Sequence, residues 1–345
     1  MTDRSPLGSW ALIVLTWKNV EDTLACIRSI FASGPVPAAI WLVDNGSGSE
    51  ITHPLIDGLA GLDPVIHRPV IRNGRYQGLE PGPVTGFHLF LHQENEGFAG
   101  GNNPAIRLGL DHGFEQIQIL NNDTVVPAGF FGQLQGTVMK HPQIPVWTPV
   151  ILYHDRPDLI WNAGGFLTWW GDRRYLGAKK PRTDFPAEGY QPVTFITGCC
   201  LLATGKVWAL NDGLSDRFFF GEEDYHFSMM LKANQIIAAV DWSSSLQHKV
   251  SVSVKRETGR IGLGMMAIHH LNRLVNMAQW KSGFSYRIWK GFYLGYAAFL
   301  VWWKRWFPLP VMIRFLRFLL KESANRQSVT RDDFLRIRSL TFLKD

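Results

Sequence analysis

Apolar and polar positions alternate in blocks along the first part of the chain. "WALIVLT" (10–16) is an unbroken apolar run of strand length. Asn19 closes it, and "VEDTLACIRSIFAS" follows with apolar positions at helical spacing. "AAIWLVDNGSGSE" repeats the plan, with a buried-type strand that ends in Asp44 and Asn45 and runs into a turn cluster. "EQIQILNNDTVV" (115–126) is a further strand leading into Asn121, Asn122 and Asp123, and "PAGFFGQLQGTVMKH" reads as the helix behind it. Strands that alternate with helices predict a mostly parallel sheet with helices on both faces. Such sheets bind ligands beyond the carboxyl ends of their strands, where Asn19, Asp44, Asn45 and the 121–123 cluster fall.

Two segments interrupt this order. Residues 53–91 mix Pro, Gly and His with possible strands at "PVIHRPVIR" and "GFHLFLH", and read as a loop-rich insertion or a β-ribbon. Residues 153–192, with "WNAGGFLTWWGDRRYLG" and several prolines, are similar, and loops of that length in a compact domain are often functional. Between them, "HQENEGFAGGNNPAIRLG" (92–109) crowds Gly97, Gly100 and Gly101 among asparagines just before a helical pattern. Glycines let backbone approach a ligand closely, and a helix N-terminus favours an anion. The plainer alternative is a surface loop that merely opens a helix.

Composition narrows the classes. With 345 residues, 46% hydrophobic and 19% charged, the chain is a packed globular protein of one large or two ordinary domains. Cys26, Cys199 and Cys200 show no spaced ligand pattern, so neither a disulfide framework nor a zinc site is expected, and a reduced, cytosolic compartment fits. The first residues lack the basic region of a signal peptide. The net charge of +6 is unevenly spread. Residues 255–345 hold 17 Lys+Arg and 5 Asp+Glu, a balance of +12 that leaves −6 for the rest, and no acidic residue occurs from 261 to 321. The expected division is a body at 1–250 and a helical, basic and aromatic region at 251–345.

In that region "GFYLGYAAFLVWW" is too short to span a bilayer. Arg314, Arg317 and Lys321 recur at near-helical spacing beside Phe315, Leu316, Phe318 and Leu319. This pattern suits helices lying on a membrane surface. The alternatives are helices packed on the body or on a second subunit in a homodimer. Nucleic acid is not expected, because long Leu, Phe and Trp runs suit a solvated groove poorly.

Taken in order, "LTWKN", "LVDNGSGSE", "NEGFAGGNN", "ILNNDTVV", "FITGCCLLATGKVWALNDGLSDRFFFGEEDYHFSMMLK" and "LQHKVSVS" resemble family 2 glycosyltransferases, most closely a bacterial rhamnosyltransferase-like branch, over about residues 10–275. The resemblance implies an α/β GT-A (Rossmann-like) fold, a nucleotide-sugar donor, a divalent cation (Mg²⁺ or Mn²⁺) and inversion at the anomeric carbon.

It also implies roles. Thr16 and Asn19 would line the nucleotide. Asp44, with Asn45 beside it, looks like the acceptor for a base ring N–H; a turn-forming Asp before Asn-Gly is the alternative. Asn95, Gly97, Phe98, Gly100, Gly101 and Asn102 resemble the loop beneath the nucleoside. "NNDTVV" matches the metal motif, with Asn121 where a first carboxylate often stands. Asn122 would face the donor and Asp123 would hold the cation, since donor diphosphate oxygens can complete the shell. His248 resembles a further metal ligand or is structural. Gly198 and Cys199 would line the sugar pocket. Asp224 is the expected general base and Glu223 its support, the alternative being plain helix-capping carboxylates. His226 and Met230 stand where the family usually has Asp and Arg.

The function expected is thus a metal-dependent inverting transferase. It would move a sugar to a glycan or lipid-linked acceptor at the inner face of the cytoplasmic membrane, in cell-surface polysaccharide synthesis. The alternative is a catalytically silent sugar-nucleotide-binding or scaffold subunit. A nucleotidyltransferase would want a Gly-rich phosphate loop with Arg and Lys near the N-terminus, which "LTWKNVEDT" does not offer.

Overall fold

The computed structural model describes residues 7–79, 84–250, 263–303 and 308–339. The body begins β1 (Leu7–Thr16), α1 (Val20–Ala32), β2 (Pro37–Asp44), α2 (Ser49–Gly58) and β3 (Val65–His67). A hairpin of β4 (Val70–Arg72) and β5 (Arg75–Gln77) follows, then β6 (Gly86–Leu91), α3 (Gly97–Asp111), β7 (Gln116–Asn121), β8 (Thr124–Val125) and α4 (Phe130–Lys140). Next come β9 (Val146–Tyr153), β10 (Ile160–Asn162), the hairpin of β11 (Gly165–Leu167) and β12 (Arg173–Tyr175), and β13 (Tyr190–Val193). The body closes with β14 (Cys200–Thr204), α5 (Gly205–Leu210), α6 (Glu223–Ala233) and β15 (Ala238–His248).

One large sheet has the order β13-β15-β9-β14-β7-β1-β2-β6-β3. From β7 to β3 all pairings are parallel, β9 and β15 are parallel to each other, and β14 runs antiparallel between β7 and β9. The unbroken apolar runs arise because both faces are covered. Cross-strand neighbours Trp41, Ile13 and Ile119 pack under α3 and α5, whereas Leu42, Val14 and Leu120 pack under α1 and α4.

The 53–91 segment differs from its expected reading. Only β4 and β5 form a separate ribbon, while β6 is an inner strand between β2 and β3. Its histidine hid it: His88 is buried, with Nδ1 at 2.9 Å from His67 Nε2 and Nε2 at 2.9 Å from the Thr85 carbonyl. A polar side chain whose ring nitrogens are both engaged can occupy an inner strand.

The C-terminal region forms α7 (Leu263–Trp280), α8 (Gly283–Trp303), α9 (Leu309–Glu322) and α10 (Arg331–Arg338). Leu271, Leu274, Phe315 and Leu319 join Phe195, Phe218 and Tyr225 of the body in a third apolar core. Backbone bonds from Phe219 N to Val329 O (3.0 Å) and from Val329 N to Arg217 O (2.8 Å) stitch the two parts together. Among the described residues no helix is long and apolar enough to cross a membrane. The expected boundary at 250/251, the end of "LQHKVSVS" and part of the acid-free stretch 261–321 touch segments 251–262 and 304–307, outside the described residues.

Candidate functional site

The sequence-predicted residues collect at the carboxyl ends of the parallel strands. Asp123 lies in the turn between β7 and β8, and β8 pairs antiparallel with the end of β15, setting His248 opposite Thr124. That register brings together two side chains far apart in sequence: His248 Nε2 is 3.0 Å from Asp123 Oδ1. They form an ion-pair contact without a hydrogen bond of good geometry, and Asp123 Oδ1 and His248 Nδ1 are both buried without a hydrogen-bond partner. Adjacent ligands of an octahedral cation at ~2.1 Å lie about 3 Å apart, so the pair has the spacing of two positions of one shell. An orphaned buried carboxylate oxygen beside an imidazole fits a divalent cation. Among the described residues no third His, Cys, Asp or Glu joins them. Trp161 packs edge-on against His248, and Lys249 donates its backbone N–H to Asp123 O (2.9 Å) and its ammonium to Asp22 (2.7 Å).

Amides and hydroxyls tie the strand ends to one another. Asn122 Nδ2 donates to Thr16 Oγ1 (3.1 Å) and to Thr23 Oγ1 (2.8 Å), locking β7 to β1 and α1. Asn19 caps α1, accepting from the Asp22 N–H and donating to its carboxylate at 2.7 Å. Asp44 is buried in its turn. Oδ1 accepts from both the N–H and the hydroxyl of Ser47, and Oδ2 from Thr52 at 2.7 Å. This is the turn-forming arrangement, and it leaves one lone pair on Oδ2. A cleft of about 380 Å³ lies alongside, lined by Thr52, Arg68 and His92 among others.

Asn45 spans the gap to the glycine-rich loop. Its Nδ2 donates to Gly97 O (2.9 Å) and Asn95 Oδ1 (3.2 Å), and its Oδ1 accepts from the Glu96 N–H (3.1 Å). Asn95 Oδ1 in turn accepts from the Gly97 N–H. Gly97 has φ +78°, and a Cβ there would meet the Phe219 carbonyl oxygen at 2.1 Å, so the close approach served by this glycine is to backbone of the acidic loop. Gly100 and Gly101 lie in the first turn of α3, where a Cβ on Gly101 would strike Asn45, and Asn102 Nδ2 holds Phe98 O at 2.9 Å.

Phe98, Gly198 and Asp224 meet. A Cβ on Gly198 would lie 3.1 Å from the Phe98 ring and 4.0 Å from Asp224 Cβ. Cys199 turns the other way, into the core layer with Cys26 and Cys200, and burial raises its thiol pKa well above the ordinary value. Its carbonyl accepts from the Asn121 N–H at 2.9 Å, which sets the Gly198 side of the site beside the Asp123 turn.

Three successive acids then have three fates. Glu222, at φ +91°, is buried and takes two N–H groups of Arg273 and the Asn276 amide (3.0 Å). Burial works to raise its pKa, but the adjoining guanidinium outweighs this and holds it below the usual range. Glu223 is 4% exposed, accepts the Gly221 N–H at 2.9 Å, and is pushed up to about 8 by burial. Asp224, at the N-terminus of α6, is half-buried; burial raises its pKa and the Arg173 charge opposes the rise. His226 is buried against Asn276 and Trp280, where burial lowers its pKa.

Sequence reading missed Arg173, Arg273, Glu222, Lys249 and His92. Three polar residues on the buried side of α7, Asn272, Arg273 and Asn276, were the available signal.

The chain has the GT-A fold of glycosyltransferases. It is similar to the mannosyltransferase PcManGT from Pyrobaculum calidifontis, solved with GDP-Man and Mn²⁺, at a TM-score of 0.50 and 12% identity over 95% of this chain and 90% of that one. It is also similar to GalNAc-T7, solved with UDP, GalNAc and Mn²⁺, at a TM-score of 0.52 and 14% identity, covering 95% of this chain and 56% of that one. No family profile and no curated protein matches the sequence.

Proposed function

We propose that this chain is an inverting, metal-dependent glycosyltransferase of the rhamnosyltransferase-like family 2 type. Its donor would be dTDP-rhamnose or a UDP-sugar. Its acceptor would be a glycan or lipid-linked glycan at the inner face of the cytoplasmic membrane, in cell-surface polysaccharide synthesis. The observation that carries the reading is the Asp123–His248 pair, two ligand atoms 3.0 Å apart without a hydrogen bond, at the strand ends of a GT-A sheet.

Asp123 and His248 would hold Mg²⁺ or Mn²⁺, which supplies charge neutralisation for the leaving diphosphate. Thr16, Asn19, Asp44, Asn45, Asn122 and the 95–102 loop would hold the nucleoside, and Gly198 leaves room for the sugar. Asp224 takes the proton of the acceptor hydroxyl as its oxygen bonds the anomeric carbon. The bond from that carbon to the diphosphate oxygen breaks from the opposite face, and its electron pair leaves with the diphosphate. Its half-buried position suits a base better than that of either glutamate, both of which are buried.

The test is a panel of UDP-, dTDP- and GDP-sugars in thermal-shift and turnover assays with and without Mn²⁺. The expected outcome is Mn²⁺-dependent binding and turnover of one donor, lost in Asp123→Ala and weakened less in His248→Ala. Donor binding without turnover would select the scaffold reading. An unchanged Mn²⁺ dependence in Asp123→Ala would remove the metal assignment.

A further inference from the structure

The apolar surface of the C-terminal region is one-sided. Along α8 the exposed face carries Phe284 (76% exposed), Ile288, Phe292 (77%) and Trp302, and along α9 it carries Leu309, Ile313 and Leu320. With Tyr296 and Phe299, also exposed, the α8 positions recur at three- and four-residue steps, and those of α9 lie four and seven residues apart, so each helix shows an apolar stripe outward as well as the one it buries. Arg287 on α8 and Arg317 and Lys321 on α9 are exposed on the same helices.

The body adds a second element that the amphipathic pattern does not reveal. The turn joining β11 to β12 presents Trp169, at 81% exposed, and Trp170, with ring centroids 5.6 Å apart. This tip is seated on α8: Trp289 Nε1 donates to Trp170 O at 2.5 Å, and Gly171, at φ +86°, packs on the Trp289 ring, where a Cβ would lie 2.8 Å from it. Arg273 of α7 donates to Gly171 O from below. Trp289 neighbours Ile288 and lies three residues before Phe292, so the tip borders the outward stripe.

We propose that the Trp169–Trp170 tip and the outward faces of α8 and α9 form a single platform that docks on an anionic lipid surface. Charge selects this occupant. Residues 261–321 contain no acid, so two copies joined through this face would set cations against cations, whereas anionic headgroups are complementary. Tryptophan rings and basic residues that flank apolar stripes are also the groups that settle at headgroup level. The β12 end of the same hairpin carries Arg173, the cation that acts on Asp224. If the proposed function holds, on which this clause alone rests, a lipid-linked acceptor is offered from the Asp224 side.

The test is sedimentation of the full chain with vesicles of phosphatidylcholine alone or mixed with phosphatidylglycerol. Wild type should bind the mixed vesicles at least tenfold more tightly and lose most of that binding at high salt, where the charge component is screened. Trp169→Ala/Trp170→Ala and Phe284→Asp/Phe292→Asp should each weaken it tenfold or more, with melting curves unchanged. Equal binding to both vesicle types, or unaltered binding by both variants, overturns the proposal. So does a wild-type dimer that dissociates in Phe284→Asp/Phe292→Asp, which would assign the face to a second copy. Vesicle binding by a chain that turns over no donor leaves the platform standing and fails the proposed function instead.

Discussion

At the ends of β1, β2 and β7, polar side chains contributed by several elements satisfy one another: Asn122 with Thr16 and Thr23, Asn45 with Asn95 and Gly97, Asp44 with Ser47 and Thr52. On the other side of the site, residues 220–222 of the acidic loop are held from one helix. Asn272 Nδ2 grips Phe220 O (3.0 Å) and Gly221 O (2.9 Å), and Arg273 and Asn276 grip Glu222, all from a helix about fifty residues further on. The first side spreads its contacts over many hydrogen bonds. The second concentrates its stability in one buried ion pair, leaving Asp224 half-buried beside Phe98 and Gly198. Changes in the loop should therefore fall into two kinds, those that stop chemistry in a folded protein and those that unfold it.

The largest effect expected is of the first kind. Asp224→Asn should lower transfer by ~10² to 10⁴-fold, the range for loss of a general base, with donor affinity and melting temperature nearly unchanged. Transfer rates at saturating donor, measured beside a melting curve, check it. If Glu223→Gln were the inactive variant and Asp224→Asn stayed active, the base would be the neighbouring glutamate. Activity in both would return the acids to the role of helix caps.

The second kind is Arg273→Met. Removing one partner of a buried ion pair strands the other charge, typically at about 3–5 kcal/mol, and here Glu222 also loses the bond that holds its left-handed backbone. The midpoint of urea unfolding should fall accordingly, and the double variant Glu222→Gln/Arg273→Met should recover part of the loss. A midpoint within experimental scatter of wild type would show that the pair is not what fixes the loop.

The comparison also explains what could be read from the sequence. The doubly covered strands announce themselves as apolar runs ending in polar residues, so Asn19, Asp44, Asn45 and Asp123 read as lying at the carboxyl ends of strands, where the fold has them. The hydrogen-bond mesh there joins segments up to 106 residues apart, but most of its members stand at strand ends and turns that are themselves legible. The loop is not. Nothing near Glu222 shows that its partner is Arg273, because the pairing depends on how α7 packs over the body. Nor does periodicity separate Glu222, Glu223 and Asp224, whose different burial comes from that same packing. His248 reaches Asp123 through the β8–β15 register, which spacing alone does not reveal. Cys199 reads as a small pocket residue until the fold turns its thiol into the core.

The smallest effect concerns Glu223, and its sign separates the buried acid from its neighbours. Burial lifts its pKa from 4.5 to about 8, so between those values the folded protein keeps a proton that the unfolded chain releases. Stability from this group therefore falls as pH rises from about 4.5 to 8, and is level beyond. Glu222 has the opposite sign, because its lowered pKa contributes stability that is lost only as pH falls below the ordinary carboxylate range. Asp224 shares the sign of Glu223 and is present in both wild type and a Glu223 variant, so their difference reports Glu223 together with its coupling to Asp224. Glu223→Gln keeps an oxygen for the Gly221 N–H and removes the titration. Its melting temperature relative to wild type should rise steadily from pH 5 to pH 8. Melting curves of both proteins at pH 5, 6.5 and 8 measure the slope. A difference that stays constant across the three would mean that Glu223 is ionised in the folded protein, and that the acidic loop tolerates a second buried charge beside the one Arg273 neutralises.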